Sequence, residues 1–333
     1  MKIVIFEVED WERAQFEPLA GEHELVFEHE PLTPANAGDH PDADIVSPFV
    51  FSRVTEETIS AMPRLRLIAT RSTGFDHIDV AAAHAAGVKV ACVPTYGENT
   101  VAEHVFALLL AVSHRIVEAV DRTRRGDFHA VGLQGFDLKG KTMGIIGTGH
   151  IGLCTIRIAR GFGMEVIAHD IHPNTAEAEA LGFSYVSMDE LLRRAHVVSL
   201  HAPGGPDTAN LIGEAEFDKM RTGAVLINTA RGNLVDVHAL LKALATGKLA
   251  GAGLDVLPEE PTIREEAELL RSVYMREHNL DTLLADHVLL HLRNVVITPH
   301  SAFNTREAVE RILTTTRENI EGFIRGENVN LVG

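Results

Sequence analysis

The chain has 333 residues, which is long enough for two domains with separate hydrophobic cores. Apolar residues make up 45% of it and charged residues 23%, as in ordinary globular enzymes. The formal net charge of −17 argues against a nucleic acid partner, which needs a basic surface, and against docking to anionic lipid. No apolar run approaches the roughly 18 residues that span a membrane, so we expect no membrane association.

The N-terminal segment MKIVIFEVED places Glu7, Glu9 and Asp10 directly after a short apolar run. This pattern predicts a first strand and its loop rather than a secretory signal. Cys92 and Cys154 are the only cysteines, which makes a disulfide framework unfavourable and favours the cytoplasm. No cysteine and histidine cluster has the spacing of a zinc site, so we expect no metal.

Short apolar strands alternate with helical patterns along the chain, which predicts parallel sheets covered by helices on both faces. Helical patterns at residues 55–62 and 80–86 separate strands in the N-terminal part. The strands predicted there are residues 3–6, 24–27, 45–46, 67–69 and 88–91. These elements predict a small doubly wound domain.

A possible helix start lies at Thr100-Val101-Ala102-Glu103, before the apolar run VFALLLAVSHRIVEAV. Thr-x-x-Glu before such a run is typical of a capping box, in which both side chains satisfy backbone N–H groups of the first turn. We therefore predict that a long helix begins at Thr100 and place the first domain boundary there.

A second series of strands and helices begins at residue 141. Its predicted strands are residues 142–146, 165–169, 197–201, 224–228, 251–255 and 295–298, the six strands of a Rossmann domain over residues 100–303. A final helix at about 304–325 has an apolar face and should return to the first domain. Residues 1–99 and 304–333 would then form one domain, flavodoxin-like in fold, into which the Rossmann domain is inserted.

The glycines of GTGHIG have the G-x-G-x-x-G spacing of a dinucleotide-binding loop: Gly147, Gly149 and Gly152. They follow a strand pattern, precede a helical pattern, and are followed by Asp170, 18 residues after Gly152. The helix N-terminus would face the cofactor pyrophosphate. Asp170 would accept hydrogen bonds from the adenosine ribose and repel a 2′-phosphate, which favours NAD over NADP.

Three candidate catalytic residues follow strands of this second domain: Arg231 after LINTA, Glu260 five positions after Asp255, and His300 after VVITP. Reduction of a 2-keto acid needs a cation for the carboxylate, an acid for the carbonyl oxygen and a group that tunes this acid. Such folds bind ligands at the carboxyl ends of their strands. Taken singly, Arg231 can also be a surface cation and His300 a helix cap.

Six motifs resemble those of the D-2-hydroxyacid dehydrogenases, and among these the D-lactate dehydrogenase branch. They are RSTGFDHID (71–79), VPTYGENTVAEH (93–104), GFDLKGKTMGIIGTGHIG (135–152), LINTARG (226–232), GLDVLPEEP (253–261) and ITPHSAF (297–303). The resemblance covers essentially the whole chain and implies an NAD domain inserted into a split substrate domain. It also implies an NAD-dependent enzyme for a small 2-keto or 2-hydroxy acid such as pyruvate, and a homodimer formed through the helix after Thr100.

The resemblance assigns catalytic roles by motif. Arg231 binds the substrate carboxylate, and His300 is the proton donor in reduction and the base in oxidation. Glu260, favoured over its neighbour Glu259 by its offset from Asp255, hydrogen-bonds His300 and raises the pKa of the imidazole.

The resemblance also assigns the surrounding contacts. In the cofactor site, His150 and Ile151 lie over the pyrophosphate, Ala202, Pro203 and Thr208 line the adenine and ribose side, Thr229 and Ala230 bracket the nicotinamide, and Asp255 accepts the carboxamide N–H. In the substrate domain, the backbone N–H groups of Thr73 and Gly74 grip the carboxylate, and Tyr96 borders the pocket.

Two departures from the lactate-type pattern leave the choice of 2-hydroxy acid open. Asn304 stands where these enzymes commonly carry a Tyr in H-x-A-F-Y, and the segment after Tyr96 differs from their usual Tyr-Ser-Pro. A glycerate, hydroxypyruvate or glyoxylate type of enzyme is therefore an alternative.

Three other classes of protein share this fold. Formate dehydrogenases pair the histidine with Gln, whereas this chain offers Glu259 and Glu260. Phosphoglycerate dehydrogenases often add a C-terminal domain, whereas this sequence stops at Gly333, directly after the last helix. An NAD(H)-sensing co-regulator is the alternative from another functional class. The Arg, Glu and His set disfavours it, and turnover of keto acids would exclude it.

Overall fold

The computed structural model describes residues 1–258, 285 and 287–333. It divides into two compact units, Met1–Tyr96 with Asn304–Gly333, and Gly97–Phe303. The second unit therefore begins at Gly97, whereas the sequence analysis placed this boundary at Thr100.

The strands, in chain order, are β1 (Lys2–Ile5), β2 (Glu24–Phe27), β3 (Ile45–Ser47), β4 (Leu67–Ala69), β5 (Lys89–Ala91), β6 (Thr142–Ile146), β7 (Glu165–His169), β8 (Ser184–Tyr185), β9 (Val197–Leu200), β10 (Ala224–Asn228), β11 (Leu249–Leu254) and β12 (Val295–Ile297). The α-helices whose bounds are described are α1 (Glu56–Ser60), α2 (Val80–Ala85), α3 (Glu98–Ser113), α4 (Ile116–Arg124), α5 (His150–Gly161), α6 (Thr175–Leu181), α7 (Met188–Arg194), α8 (Glu214–Lys219), α9 (Val237–Ala245) and α10 (Arg306–Ile324).

The first unit contains one parallel sheet in the order β2-β1-β3-β4-β5, the strand order of flavodoxin-like folds. Its inner strands are apolar apart from Lys2 and Ser47 because both faces are covered, and Val4, Val46 and Ile68 have no exposed surface. Helix α10 packs in this unit, where the Asn319 side-chain amide donates to the Cys92 carbonyl at 2.8 Å.

The second unit contains a seven-stranded parallel sheet in the order β12-β11-β10-β9-β6-β7-β8. Read from β8, the order is that of a Rossmann fold with one strand added at the far edge. The predicted class of two parallel-sheet α/β domains is confirmed. The expected count of six strands is wrong, because β8 was not predicted. This edge strand has only two residues, which is too short to show a strand pattern.

The predicted capping box is wrong. Helix α3 begins at Glu98 with Gly97 as its N-cap, and Thr100 is buried inside the helix. A Thr-x-x-Glu pattern also occurs within helices, where residues three apart are neighbours, so local sequence alone does not locate the start.

The predicted long helix is also broken. Arg115 has a φ of 52° between α3 and α4, and the two helices meet at 62°. No single helix among the described residues is long and apolar enough to cross a membrane. The bent pair of α3 and α4 meets that criterion by length and composition only.

Candidate active site

The glycine-rich turn follows β6, whose five residues are all buried. Gly147 has a φ of 95°, and a Cβ there would lie 2.7 Å from the carbonyl carbon of His201. A Cβ at Gly152 would overlap the carbonyl oxygen of Gly147. These two glycines are therefore required by backbone conformation and by close packing.

Gly149 is different, because a Cβ there would meet no protein atom within 4 Å. It is the N-cap of α5 and provides no side-chain cap, so the first-turn N–H groups of the helix have no side-chain acceptor at that position. His150 is exposed and Ile151 half-buried in this turn. The arrangement suits an anion that approaches the helix N-terminus over Gly149.

Asp170 follows β7 and faces the same turn. Its Oδ2 accepts the backbone N–H of Thr148 at 2.6 Å and the Thr148 hydroxyl at 2.8 Å, and its Oδ1 accepts the His172 N–H at 2.8 Å. Burial opposes ionisation, but these hydrogen bonds outweigh it and hold the pKa of Asp170 below its ordinary value. Asp170 is therefore an anion beside the glycine-rich turn.

The segment after β9 brings together two of the predicted adenine-side residues. The hydroxyl of Thr208 donates to the carbonyl of Pro203 at 2.8 Å, which closes a small loop after Ala202. His201, just before this loop, is half-buried, and burial of its ring lowers the pKa of the imidazole to about 4. Its Nε2 lies 2.9 Å from the hydroxyl oxygen of Ser199, and the low pKa keeps the ring neutral at pH 7.

The turn after β10 is held by the buried side chain of Asn228. Its Nδ2 donates to the carbonyl of Arg231 at 2.9 Å, and its Oδ1 accepts the N–H of Ala230 at 3.0 Å. A Cβ at Gly204 would lie 2.8 Å from Cγ of Arg231, so glycine there leaves room for the arginine. Thr229 is buried in this turn, and among the described residues its hydroxyl oxygen has no hydrogen-bond partner.

Asp255 follows β11, and its carboxylate is buried. Its Oδ1 accepts the Thr298 hydroxyl and, at 3.0 Å, the N–H of Ser301, and its Oδ2 accepts the N–H of Ala302 at 2.9 Å. Burial opposes ionisation, but hydrogen bonds from His104, Thr298, Ala302 and Ser301 hold the pKa of Asp255 below its ordinary value. The carboxylate thus fixes the turn that follows β12.

His300 lies inside this turn with a φ of 51°. Its N–H donates to the carbonyls of Asp255 and Thr298, both at 2.9 Å. A left-handed conformation costs a residue with a Cβ about 1–2 kcal/mol, and it persists only where surrounding contacts impose it. We call the turn Thr298–Ala302 with Asp255 the His300 corner.

Four predicted residues lie beyond the carboxyl ends of strands in one parallel sheet. They are Gly147 after β6, Asp170 after β7, Arg231 after β10 and His300 after β12. The sequence model of the D-isomer specific 2-hydroxyacid dehydrogenase NAD-binding domain matches residues 106–302. The chain belongs to this family. The resemblance drawn from its motifs is confirmed.

Named relatives of this dehydrogenase differ in substrate. A D-lactate dehydrogenase of Escherichia coli is 38% identical, over 79% of this chain and 77% of that protein. A glyoxylate reductase of Thermococcus litoralis is 37% identical, over 86% of this chain and 82% of that protein. A solved D-lactate dehydrogenase of Aquifex aeolicus, complexed with NAD and lactic acid, has a TM-score of 0.88 and 33% identity, over 99% of this chain and 98% of that one.

The dehydrogenase is an NAD-dependent oxidoreductase of the 2-hydroxyacid class. Its own residues fit this cofactor, because the approach over Gly149 is open and Asp170 is an anion at the position predicted to meet the adenosine ribose. The orphaned hydroxyl of Thr229 adds a buried polar atom in the turn predicted to face the nicotinamide.

Glu260, predicted to pair with His300, lies outside the described residues, as does its rival Glu259. The pairing stays a prediction.

The predicted substrate residues of the first unit follow β4 and β5. Thr73 is exposed, and its hydroxyl donates to the Val93 carbonyl at 2.6 Å. The carbonyl of Gly74 accepts the Ser72 hydroxyl at 2.6 Å. Tyr96 is half-buried, and its carbonyl accepts a hydrogen bond from Nε of Arg311. Side-chain hydrogen bonds therefore hold the loop that presents Thr73 and Gly74.

Sequence reasoning quoted RSTGFDHID but missed its first residue, Arg71. This guanidinium is 2% exposed, pairs with Glu12 at 3.2 Å, donates to the carbonyl of Glu7 at 2.9 Å and lies 5.3 Å from the ring of Phe49. A charged residue two positions after a buried strand was the available signal. Arg71 ties the loop before Thr73 to the loop after β1.

Sequence reasoning also missed Tyr185. Its hydroxyl accepts the N–H of Asn174 at 3.1 Å and lies 2.8 Å from the hydroxyl of Thr148, which donates to Asp170. Since the Thr148 proton is directed to Asp170, the tyrosine hydroxyl donates to Thr148. No signal in the sequence marked this residue, because its two-residue strand was not predicted.

Proposed function

We propose that this dehydrogenase reduces a small 2-keto acid to the D-2-hydroxy acid, and that pyruvate is its substrate. The observation that carries the proposal is the arrangement at the carboxyl ends of the strands of one sheet. Three features lie there: the glycine-rich turn after β6, Arg231 after β10, and the His300 corner after β11 and β12. A hydride source, a carboxylate-binding cation and a proton donor therefore belong to one face of the same unit.

In this mechanism Arg231 binds the substrate carboxylate and orients the carbonyl group. In the first unit, the backbone N–H groups of Thr73 and Gly74 are proposed to bind a substrate carboxylate, and Tyr96 to border the substrate. When bound at the glycine-rich turn, NADH would supply the hydride for the carbonyl carbon. The imidazolium of His300 gives its proton to the carbonyl oxygen, and Glu260 stabilises the imidazolium. The reaction therefore consumes one keto acid, one NADH and one proton.

The remaining proposed contacts lie around the cofactor. His150 and Ile151 meet the pyrophosphate at the start of α5, and Asp170 accepts the ribose hydroxyls. Ala202, Pro203 and Thr208 line the adenine side. Thr229 and Ala230 bracket the nicotinamide, and Asp255 accepts from the carboxamide through Oδ2, which has one protein donor among the described residues.

Pyruvate is supported by the D-lactate dehydrogenases among the relatives, and glyoxylate by the glyoxylate reductases. Asn304, which is exposed at the start of the segment leading into α10, supports the alternative of a substrate other than pyruvate. The specificity constants for pyruvate, glyoxylate, hydroxypyruvate, 2-ketobutyrate and phenylpyruvate with NADH test the choice.

We expect pyruvate to have the largest kcat/KM. A larger value for glyoxylate or hydroxypyruvate would keep the reaction and replace the substrate. Tight NADH binding without turnover of any keto acid would overturn the enzymatic proposal in favour of an NAD(H)-sensing role.

We also propose a homodimer that covers the exposed apolar surface of α4 and the loop after it. This surface consists of Ile116, Val117, Val120, Phe128 and Val131, and the last two are 82% and 83% exposed. Several exposed apolar side chains within a short segment are typical of an interface. Sedimentation should give a dimer for wild type and for Trp11→Ser, an exposed control in the first unit, and a monomer for Phe128→Glu. A wild-type monomer would contradict the proposal.

A cytoplasmic location is the remaining part of the proposal. Cys92 and Cys154 are both free thiols, which fits a reducing compartment. Recovery of the enzyme from a secreted fraction of its source cells would contradict it.

A further inference from the structure

The His300 corner is contacted from α3 by a side chain that has no role in the mechanism above. Nε2 of His104 lies 2.9 Å from the hydroxyl oxygen of Thr298 and 3.4 Å from Oδ1 of Asp255. The imidazole is mostly buried, with 21% of its side chain exposed. Its position on a core helix brings it within reach of two strand ends.

The direction of these hydrogen bonds follows from counting donors. An ionised carboxylate only accepts, so the Thr298 hydroxyl donates its single proton to Asp255. The Thr298 oxygen can then only accept from His104, which requires the proton of this imidazole on Nε2. The chain therefore runs from His104 through Thr298 to Asp255 with every donor directed at the carboxylate.

The carboxylate at the end of this chain accepts the N–H of Ser301 and of Ala302, the two residues after His300. The carbonyls of Asp255 and Thr298 accept the N–H of His300 itself. The left-handed conformation of His300 is thus imposed by contacts that all depend on where Asp255 and Thr298 lie.

We propose that His104 and Thr298 are positioning residues, which hold Asp255 and thereby keep the imidazole of His300 in the orientation required for proton transfer. The proposal rests on the proposed function of His300 as the proton donor. The proposal gives Asp255 a second role besides its predicted contact with the cofactor. Most of the hydrogen bonds that this carboxylate accepts come from groups within the corner. A displaced catalytic group slows the chemical step even when ligands still bind.

Matched substitutions at Thr298 test the proposal. Thr298→Val keeps the shape and removes the hydroxyl, and Thr298→Ser keeps the hydroxyl. We expect Thr298→Val to lower kcat about 10- to 100-fold with the Kd for NADH within about twofold of wild type, and Thr298→Ser to retain kcat. A kcat for Thr298→Val close to that of wild type, or an equal loss in Thr298→Ser, would overturn the proposal.

A second pair tests His104. The side-chain amide of Gln places an N–H near the position of Nε2, so His104→Gln should retain most of the activity. His104→Leu removes the donor and should lower kcat about tenfold without weakening NADH binding. Equal kinetics of the two variants would exclude the hydrogen bond from the mechanism.

A measurement independent of turnover separates this inference from the proposed function. The imidazole NMR signals of His300, assigned by their loss in His300→Asn, should shift in Thr298→Val and coincide with wild type in Thr298→Ser. Unchanged signals in Thr298→Val would overturn the positioning role. If wild type turned over no keto acid, the proposed function would fail while these spectra still decided the positioning of His300.

Discussion

The glycine-rich turn and the His300 corner both lie at the carboxyl ends of the strands of one sheet, yet their conformations are stabilised in opposite ways. The turn depends on missing side chains, since Cβ atoms at Gly147 and Gly152 would meet backbone atoms. The corner depends on present ones, since Asp255 and Thr298 hold His300 in a left-handed conformation. The first device can be recognised from spacing in the sequence, whereas the second becomes visible only when distant strands meet.

The largest expected effect separates chemistry at the corner from binding at the turn. Asn tolerates the left-handed conformation of residue 300, so His300→Asn should keep the fold while removing the proton donor. We expect kcat to fall about 10²- to 10⁴-fold with the Kd for NADH unchanged, as measured by steady-state kinetics and nicotinamide fluorescence. A parallel loss of NADH binding would show that the two regions are not separable.

The second-largest effect is expected from a substitution that disrupts the glycine-rich turn and leaves the His300 corner unchanged. In Gly152→Ala the new methyl group overlaps the Gly147 carbonyl, which should destabilise the protein by about 1–3 kcal/mol and weaken NADH binding. Gly149→Ala is the matched control, because a Cβ there meets no protein atom within 4 Å and should leave stability nearly unchanged. Denaturant unfolding of both variants checks this, and equal losses of stability would contradict the packing argument.

The third effect sharpens the role of the anion beside the turn. Asp170→Ala removes the negative charge that would oppose a 2′-phosphate, so we expect the NADH/NADPH ratio of kcat/KM to fall about tenfold. Asp189→Ala on α7, where the side chain is 47% exposed, is the control for a general change in charge and should keep the wild-type ratio. No gain in relative NADPH use by Asp170→Ala would remove Asp170 from the ribose site.

The smallest effect concerns the pH dependence of stability at the corner. The folded-state pKa of Asp255 is below the unfolded-state value of about 3.9. The stability it contributes is therefore fully present above that unfolded value and is lost as the pH falls through the folded-state pKa. Thermal unfolding midpoints of wild type and Asp255→Asn should differ at pH 6 and converge towards pH 2. A constant difference would assign the effect of the substitution to packing.

The local features that the sequence predicted are those set by neighbouring residues. The strands β6, β7 and β10 matched their predicted bounds, because β6 and β10 are buried at every position and β7 at its three central apolar positions, which leaves a short apolar run in each sequence. The glycine spacing around Gly147 and the anion at Asp170 could likewise be read, since strand, turn and helix follow each other directly.

Other features escaped prediction because their partners are far away in the chain. The pairing of Arg71 with Glu12 joins two loops that lie 59 residues apart in the chain. Tyr185 acts on Asp170 through Thr148, across three strands. None of these contacts leaves a periodic signal, because each involves single side chains on separate elements.

By itself the sequence determined the alternation of strands and helices, the dinucleotide-binding turn and the order of the family motifs, since these depend on local periodicity and spacing. Only the tertiary structure decided how the carboxylate of Asp255 is used and why His300 takes its conformation. The physical reason is that the Thr298 hydroxyl and the Asp255 carboxylate lie 43 residues apart in the chain. Their hydrogen bond exists only because β11 and β12 are paired in the sheet.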